Sequence, residues 1–175
     1  MRTLSADAVG FNPIGYHTGS VWPHDTAIAA RGLARAGHPA AAWSLIDGVL
    51  EAADSFDYRL PELFAGYGRT AHGLYPGERT AGEQAWRGRP APYPAACRPQ
   101  AWAAAASVSF LQTLLGLEAD APGRCLTMAP VPGAFPLQVS GLRLAGSPFS
   151  VEVTADGRIQ ASTPADMTVR TAAEG

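Results

Sequence analysis

Long apolar runs are missing from this 175-residue chain. Nothing approaches the roughly 20 residues that carry a helix across a bilayer, and the opening stretch MRTLSADAVG has no apolar signal core. The expectation is a cytoplasmic protein without a membrane partner. Charge is also scarce, at 16% of residues with a net of −2, and it gathers into no basic stripe or long run of one sign. That argues against nucleic acid and against an anionic membrane surface, and leaves an uncharged ligand as the better match. Cysteine is limited to Cys97 and Cys125. They are too far apart for a short metal-ligand pair, and no Cys/His cluster completes a zinc pattern. Both read as buried free thiols.

What is present suffices for one globular unit, since 47% of the residues are hydrophobic and the length is that of an ordinary domain. The stretch 1–23 has Gly and Pro punctuation without a sustained period and reads as an ordered loop. Helical spacing then predicts a helix over about Thr26–Ala36, stopped by Gly37 and Pro39. A second helix is expected from Pro39 to near Phe56, with Trp43, Ile46, Leu50 and Ala53 on one face. The short Gly37-His38 link makes the two an antiparallel hairpin. A long loop from Tyr58 to Arg98, rich in Gly, Pro, Arg and aromatics, is unusual in a compact domain unless it builds a site. A third helix is expected over about Gln100–Leu115, with Trp102, Ala106, Phe110 and Leu114 on its stripe and Gly116 as its cap. Beyond Ala129 the alternating stretches LQVSGLRLAG, FSVEVTADGRIQ and MTVRT read as short strands, with a hairpin at Ala155-Asp156-Gly157.

Three clusters bear chemistry. The first, YHTGSVWPHD over 16–25, combines hydroxyl, imidazole, indole and carboxylate just ahead of a helix start. That mixture suits a sugar, whose C–H face lies on an aromatic ring while polar groups take its hydroxyls. Trp22 taken singly reads as core before platform. In the second, RLPELFAG over 59–66, Glu62 is either an ion-pair partner of Arg59 or a general base that takes a proton from water. Glycoside hydrolysis uses two carboxyl groups, one protonating the leaving oxygen and one serving water or attacking the sugar. The third, APYPAACRPQAW over 91–102, leaves Tyr93, Gln100 and Trp102 at or near a helix start; it reads equally as a structural approach to the helix or as a ligand contact, for which the Gln100 amide is suited to a sugar hydroxyl.

The stretches FNPIGYHTGSVWPHDTAIAARGLARAG, RLPELFAGY and PYPAACRPQAWAAAA, in that order and spacing, resemble the bacterial amylo-α-1,6-glucosidase and mannosylglycerate hydrolase-like proteins. The resemblance runs through nearly the whole chain, more weakly in the strand-rich tail. It implies a mainly α fold, a partial (α/α)6 toroid of helical hairpins over residues 1–129, followed by a small antiparallel β unit over 130–175. It also implies inverting hydrolysis of an α-linked glucosyl oligosaccharide or glycogen-like substrate, with Glu62 as general base, a mechanism that requires no metal or organic cofactor. Tyr16, His17, Trp22, His24, Asp25, Arg59, Gln100 and Trp102 would contact the sugar. The stretch resembling YGSVDATP that carries the family's general acid is not found here. The chain is therefore expected to be the C-terminal part of a catalytic domain, inactive alone, with the oligosaccharide and the N-terminal part of the same enzyme as partners. A different class of reading is a non-catalytic carbohydrate-binding or helical interaction module. A terpenoid-cyclising toroid is disfavoured by the lack of an Asp-rich motif.

Overall fold

The computed structural model describes residues 1–68, 89–164 and 166–171. Among these are three α-helices, one short 3-10 turn at Asp54–Phe56 and six strands. The helices are α1 (Pro23–Arg35), α2 (Pro39–Ala53) and α3 (Ala101–Leu115); the strands are β1 (Glu118–Asp120), β2 (Cys125–Met128), β3 (Leu137–Leu144), β4 (Ser147–Val153), β5 (Ile159–Ser162) and β6 (Thr168–Thr171). The strands form two three-stranded sheets, ordered β1-β2-β6 and β3-β4-β5. This is an α+β fold and corrects the expected mainly α architecture of toroid hairpins. No described helix is long and apolar enough to cross a membrane.

The expected helix starts and stops are close to those observed, for local reasons. Pro23 and Pro39 open α1 and α2, where a missing N–H is harmless and the fixed φ suits a first turn. At the end of α1 the Gly37 N–H donates to the Ala34 carbonyl and the His38 N–H to that of Leu33, the paired bonds of a left-handed helix stop. Gly116 ends α3 in the same way, donating to Thr113 while Leu117 donates to Gln112. Its φ is +57°, and a Cβ there would stand 2.0 Å from the Ala129 carbonyl oxygen, so both conformation and space demand glycine.

Two faces turn differently from expectation. On α2 the buried stripe is Ala42, Ile46, Val49 and Ala53, and Leu50 is exposed. On α3 it is Ala103, Ala106, Phe110 and Leu114, with Trp102 outside it. Alanine-rich helices fix their rotation weakly, because neighbouring stripes offer similar apolar area.

By contact density the chain divides into two units, residues 1–29 with 45–108 and residues 30–44 with 109–175. In the second, Leu115, Leu126, Met128, Phe149, Val151 and Val153 form a buried core. Strand alternation builds it: Phe149, Val151 and Val153 point inward while Glu152 between them is exposed. The β3-β4 link, Ala145-Gly146, has positive φ at both residues, as a two-residue hairpin turn requires. The expected hairpin at 155–157 is present, Gly157 donating to the Thr154 carbonyl. The tail is not wholly antiparallel, because β6 pairs parallel with β2.

In the first unit, Ala52, Phe56 and Phe64 form a buried cluster with Val21 packed on it. The long loop expected over 58–98 is described only at its two ends, and 69–88 lie outside the described residues. Those ends are extended straps. Isolated bridges link Arg2 to Val21, Val21 to Phe64 and Phe64 to Pro92.

Candidate functional site

The first unit brings the three sequence clusters together through backbone pairing. Val21 and Phe64 exchange N–H···O bonds of 2.8 and 2.9 Å, and the Ala65 N–H donates to the Ala91 carbonyl at 2.9 Å. Gly66 donates to the Pro13 carbonyl at 2.7 Å and lies against Gly19, whose carbonyl oxygen would be 1.8 Å from a Cβ at position 66. The strap carrying Glu62 is thereby clamped to the segment carrying Tyr16 and Trp22. On its other side the Glu62 N–H donates to the Cys97 carbonyl at 3.0 Å.

Glu62 is a carboxylate in a covered position, 8% exposed. Its Oε1 accepts the Tyr16 hydroxyl at 2.9 Å, and its Oε2 accepts the Cys97 backbone N–H at 3.3 Å. The Tyr16 hydrogen bond is the main reason its carboxyl stays below the ordinary range; burial opposes it, and the Cys97 N–H, the Gln100 amide and the Cys97 thiol reinforce it. The same bond pushes the Tyr16 phenol up from its ordinary value, with burial and the Glu62 charge acting in the same sense. The pair therefore rests as an ionised acid and a protonated phenol.

Aromatic rings pack against Tyr16. Tyr16 meets Trp22 edge-on at 4.6 Å, His17 at 4.7 Å and Tyr93 at 5.9 Å. His17 is parallel to Trp22 at 5.9 Å, and His24 stacks on Trp102 at 4.2 Å. Trp22 is 4% exposed, and its indole N–H donates to the Tyr16 carbonyl at 3.0 Å and to Ser20 Oγ at 3.1 Å. It is the interior pillar of the cluster. Trp102 and Tyr16 are 49% and 40% exposed.

Tyr16, His17, Trp22, His24, Glu62 and Trp102 thus form one group, with Gln100 joined through Glu62. Asp25 is at its margin, exposed, with Oδ1 3.4 Å from His24 Nε2. Arg59 is exposed, and no salt bridge joins it to Glu62 among the described residues; the hydroxyl of Tyr16, 46 positions away, holds that carboxylate instead. Arg98 ties the neighbouring loop, donating to the Phe56 carbonyl at 2.6 Å and to Asp57 at 2.7 Å.

The sequence reading missed Cys97 as a Glu62 partner. It is exposed, correcting the expectation of burial, whereas Cys125 is buried. Tyr93, to which the sequence assigns no role, packs on Tyr16, and its position between Pro92 and Pro94 is the available signal. Among the described residues, two buried side-chain polar atoms have no hydrogen-bond partner, His24 Nδ1 and Gln100 Oε1. Both belong to residues of this cluster. Unpaired buried polar atoms are uncommon and cost about 1–3 kcal/mol each.

A cavity of about 340 Å³ lies elsewhere, on the outer face of β3-β4-β5, lined by Gln138, Ser150, Glu152 and Gln160 among others. It has no aromatic surface, and the Glu62 cluster remains the stronger candidate on chemistry. Among the described residues, no group of three or more His, Cys, Asp and Glu is placed to hold a metal ion. No family model matches the chain, and no curated protein matches it.

Proposed function

We propose that this chain carries the base side of a glycoside-hydrolysing site for α-linked glucosyl oligosaccharides or a glycogen-like polymer. The observation that supports it most is the Glu62 carboxylate held at 2.9 Å by the hydroxyl of Tyr16, whose own ring packs among aromatic side chains. In an inverting reaction such a carboxylate takes a proton from the water that attacks the anomeric carbon. A second carboxyl, roughly 6.5–9.5 Å away, protonates the leaving oxygen. Trp102 offers an open ring face for the C–H side of a pyranose. His17, His24, Gln100 and Asp25 take its hydroxyls. The proposed partner is the N-terminal part of the same enzyme, which brings the acid. A cytoplasmic setting goes with this reading.

Covering of Glu62 favours a second reading, a non-catalytic carbohydrate-binding module. Its carboxylate oxygens are both hydrogen-bonded and the residue is 8% exposed, while Trp102 and Tyr16 face outward.

α-Glucosyl fluoride separates the two, because fluoride departs without a proton and the reaction needs only the base. The first reading expects fluoride release above the spontaneous rate, abolished in Glu62→Gln with circular dichroism unchanged. Saturable sugar binding without release, unaffected by Glu62→Gln, supports the second. Release that survives Glu62→Gln removes Glu62 from the role.

A further inference from the structure

We propose that Tyr16 is a catalytic residue of this site, passing the proton of the attacking water on to Glu62. The inference rests on the reading of Glu62 as base and adds the route by which a proton reaches it. A residue only 8% exposed has little direct access to solvent. Oε2 is taken up by the Cys97 N–H at 3.3 Å and Oε1 by the Tyr16 hydroxyl at 2.9 Å. Tyr16 itself is 40% exposed, so of the two bonded residues it has the greater access to solvent. Among the described residues, its phenol is the side-chain hydroxyl bonded to Glu62.

The ring is also held in place. Trp22 and His17 meet it edge-on at 4.6 and 4.7 Å, and Tyr93 lies at 5.9 Å. The Trp22 N–H donates to the Tyr16 carbonyl at 3.0 Å, and Ser20 Oγ donates to the same oxygen at 2.6 Å. Side chain and backbone are fixed together, which is what a proton-transfer group needs if its distance is to stay within hydrogen-bond reach.

The step balances without any added reagent. The water oxygen forms its bond to the anomeric carbon as one of its O–H bonds breaks. The phenol oxygen takes that proton while its own proton moves to Glu62 Oε1. The bond to the leaving group breaks and takes its electron pair with it. Tyr16 is a neutral phenol before and after, and Glu62 ends as the carboxylic acid, later losing its proton to solvent. A phenol whose pKa is raised and a carboxyl whose pKa is lowered begin in the protonation states this transfer requires.

Kinetics of fluoride release from α-glucosyl fluoride test the proposal on the chain and on Tyr16→Phe, Glu62→Gln and the double variant. Tyr16→Phe is expected to lower kcat on the order of 100-fold, the usual weight of a proton-transfer group, with KM little changed. The double variant is expected to be no slower than the slower single. Full kcat in Tyr16→Phe beside an inactive Glu62→Gln overturns the relay and leaves Glu62 as base. A raised KM with kcat intact shows a merely structural Tyr16 and overturns it as well. Absence of release by the unaltered chain removes both the relay and Glu62 as base. Should Tyr16→Phe fail to fold, the unaltered chain still decides: two protons moving together give a curved dependence of rate on the deuterium fraction of the solvent, and a straight line overturns the relay.

Discussion

The imidazole of His24 lies nearly flat on the indole of Trp102, with ring centroids 4.2 Å apart and planes 12° from parallel. One belongs to the first turn of α1 and the other to the first turn of α3, so a single stack joins two helix starts. With Trp102 still 49% exposed, ring surface remains for a sugar. Trp102→Ala is expected to weaken oligosaccharide binding about tenfold, in line with an aromatic contact of roughly 0.5–1.5 kcal/mol beyond its area. Calorimetric titration with a glucosyl oligosaccharide measures it, and unchanged affinity would place the sugar elsewhere.

Gly66 has no room for a side chain, since a Cβ would stand 1.8 Å from the carbonyl oxygen of Gly19. Gly66→Ala must push the Glu62 strap away from the Tyr16 segment. A loss of about 1–3 kcal/mol is expected, the usual cost of overpacking, together with weaker sugar binding. Urea denaturation gives the first and titration the second. An unaltered midpoint would show that the clamp is slack.

Acid should expose the Tyr16–Glu62 bond. Folding holds the Glu62 pKa below its ordinary 4.5, so its ionised form favours the native state. That contribution is complete above 4.5 and disappears as pH falls through the lower, folded-state pKa. The stability difference between the unaltered chain and Glu62→Gln is therefore expected to shrink as pH drops below 4.5. Asp156, also shifted down by its Thr154 hydrogen bond, titrates alike in both and cancels. Urea midpoints measured on either side of that pH check it, and a constant difference contradicts the assigned bond.

Local signals were the legible part. Pro39, Gly37 and Gly116 mark helix limits because each acts through its own backbone, whereas Pro23, which reads as the end of the opening loop, is the first residue of α1. The strands of the tail show in the alternation of LQVSGLRL and FSVEV. Non-local pairing was not legible. β1 is the short, exposed Glu118-Ala119-Asp120, with no apolar alternation to mark it, and β2 finds its parallel partner β6 some forty positions on. The expected toroid came from resemblance and not from periodicity, and it failed where these strands take up the chain. At the site, nearness in sequence suggested Arg59 for Glu62. The partner is Tyr16, delivered by the Val21–Phe64 bridge. Trp102 was expected on the buried stripe of α3 because every fourth residue there is apolar. With alanine at 103, 104, 105 and 106, the smaller Ala103 is buried and the indole is left for the surface.

The measurement closest to the central claim is the configuration of the glucose first released from α-glucosyl fluoride, followed by proton magnetic resonance before mutarotation. A water guided to the face opposite the fluoride by Tyr16 and Glu62 gives the β-anomer, and Glu62→Gln gives none. Initial release of the α-anomer, or β-glucose at an undiminished rate from Glu62→Gln, would contradict the account.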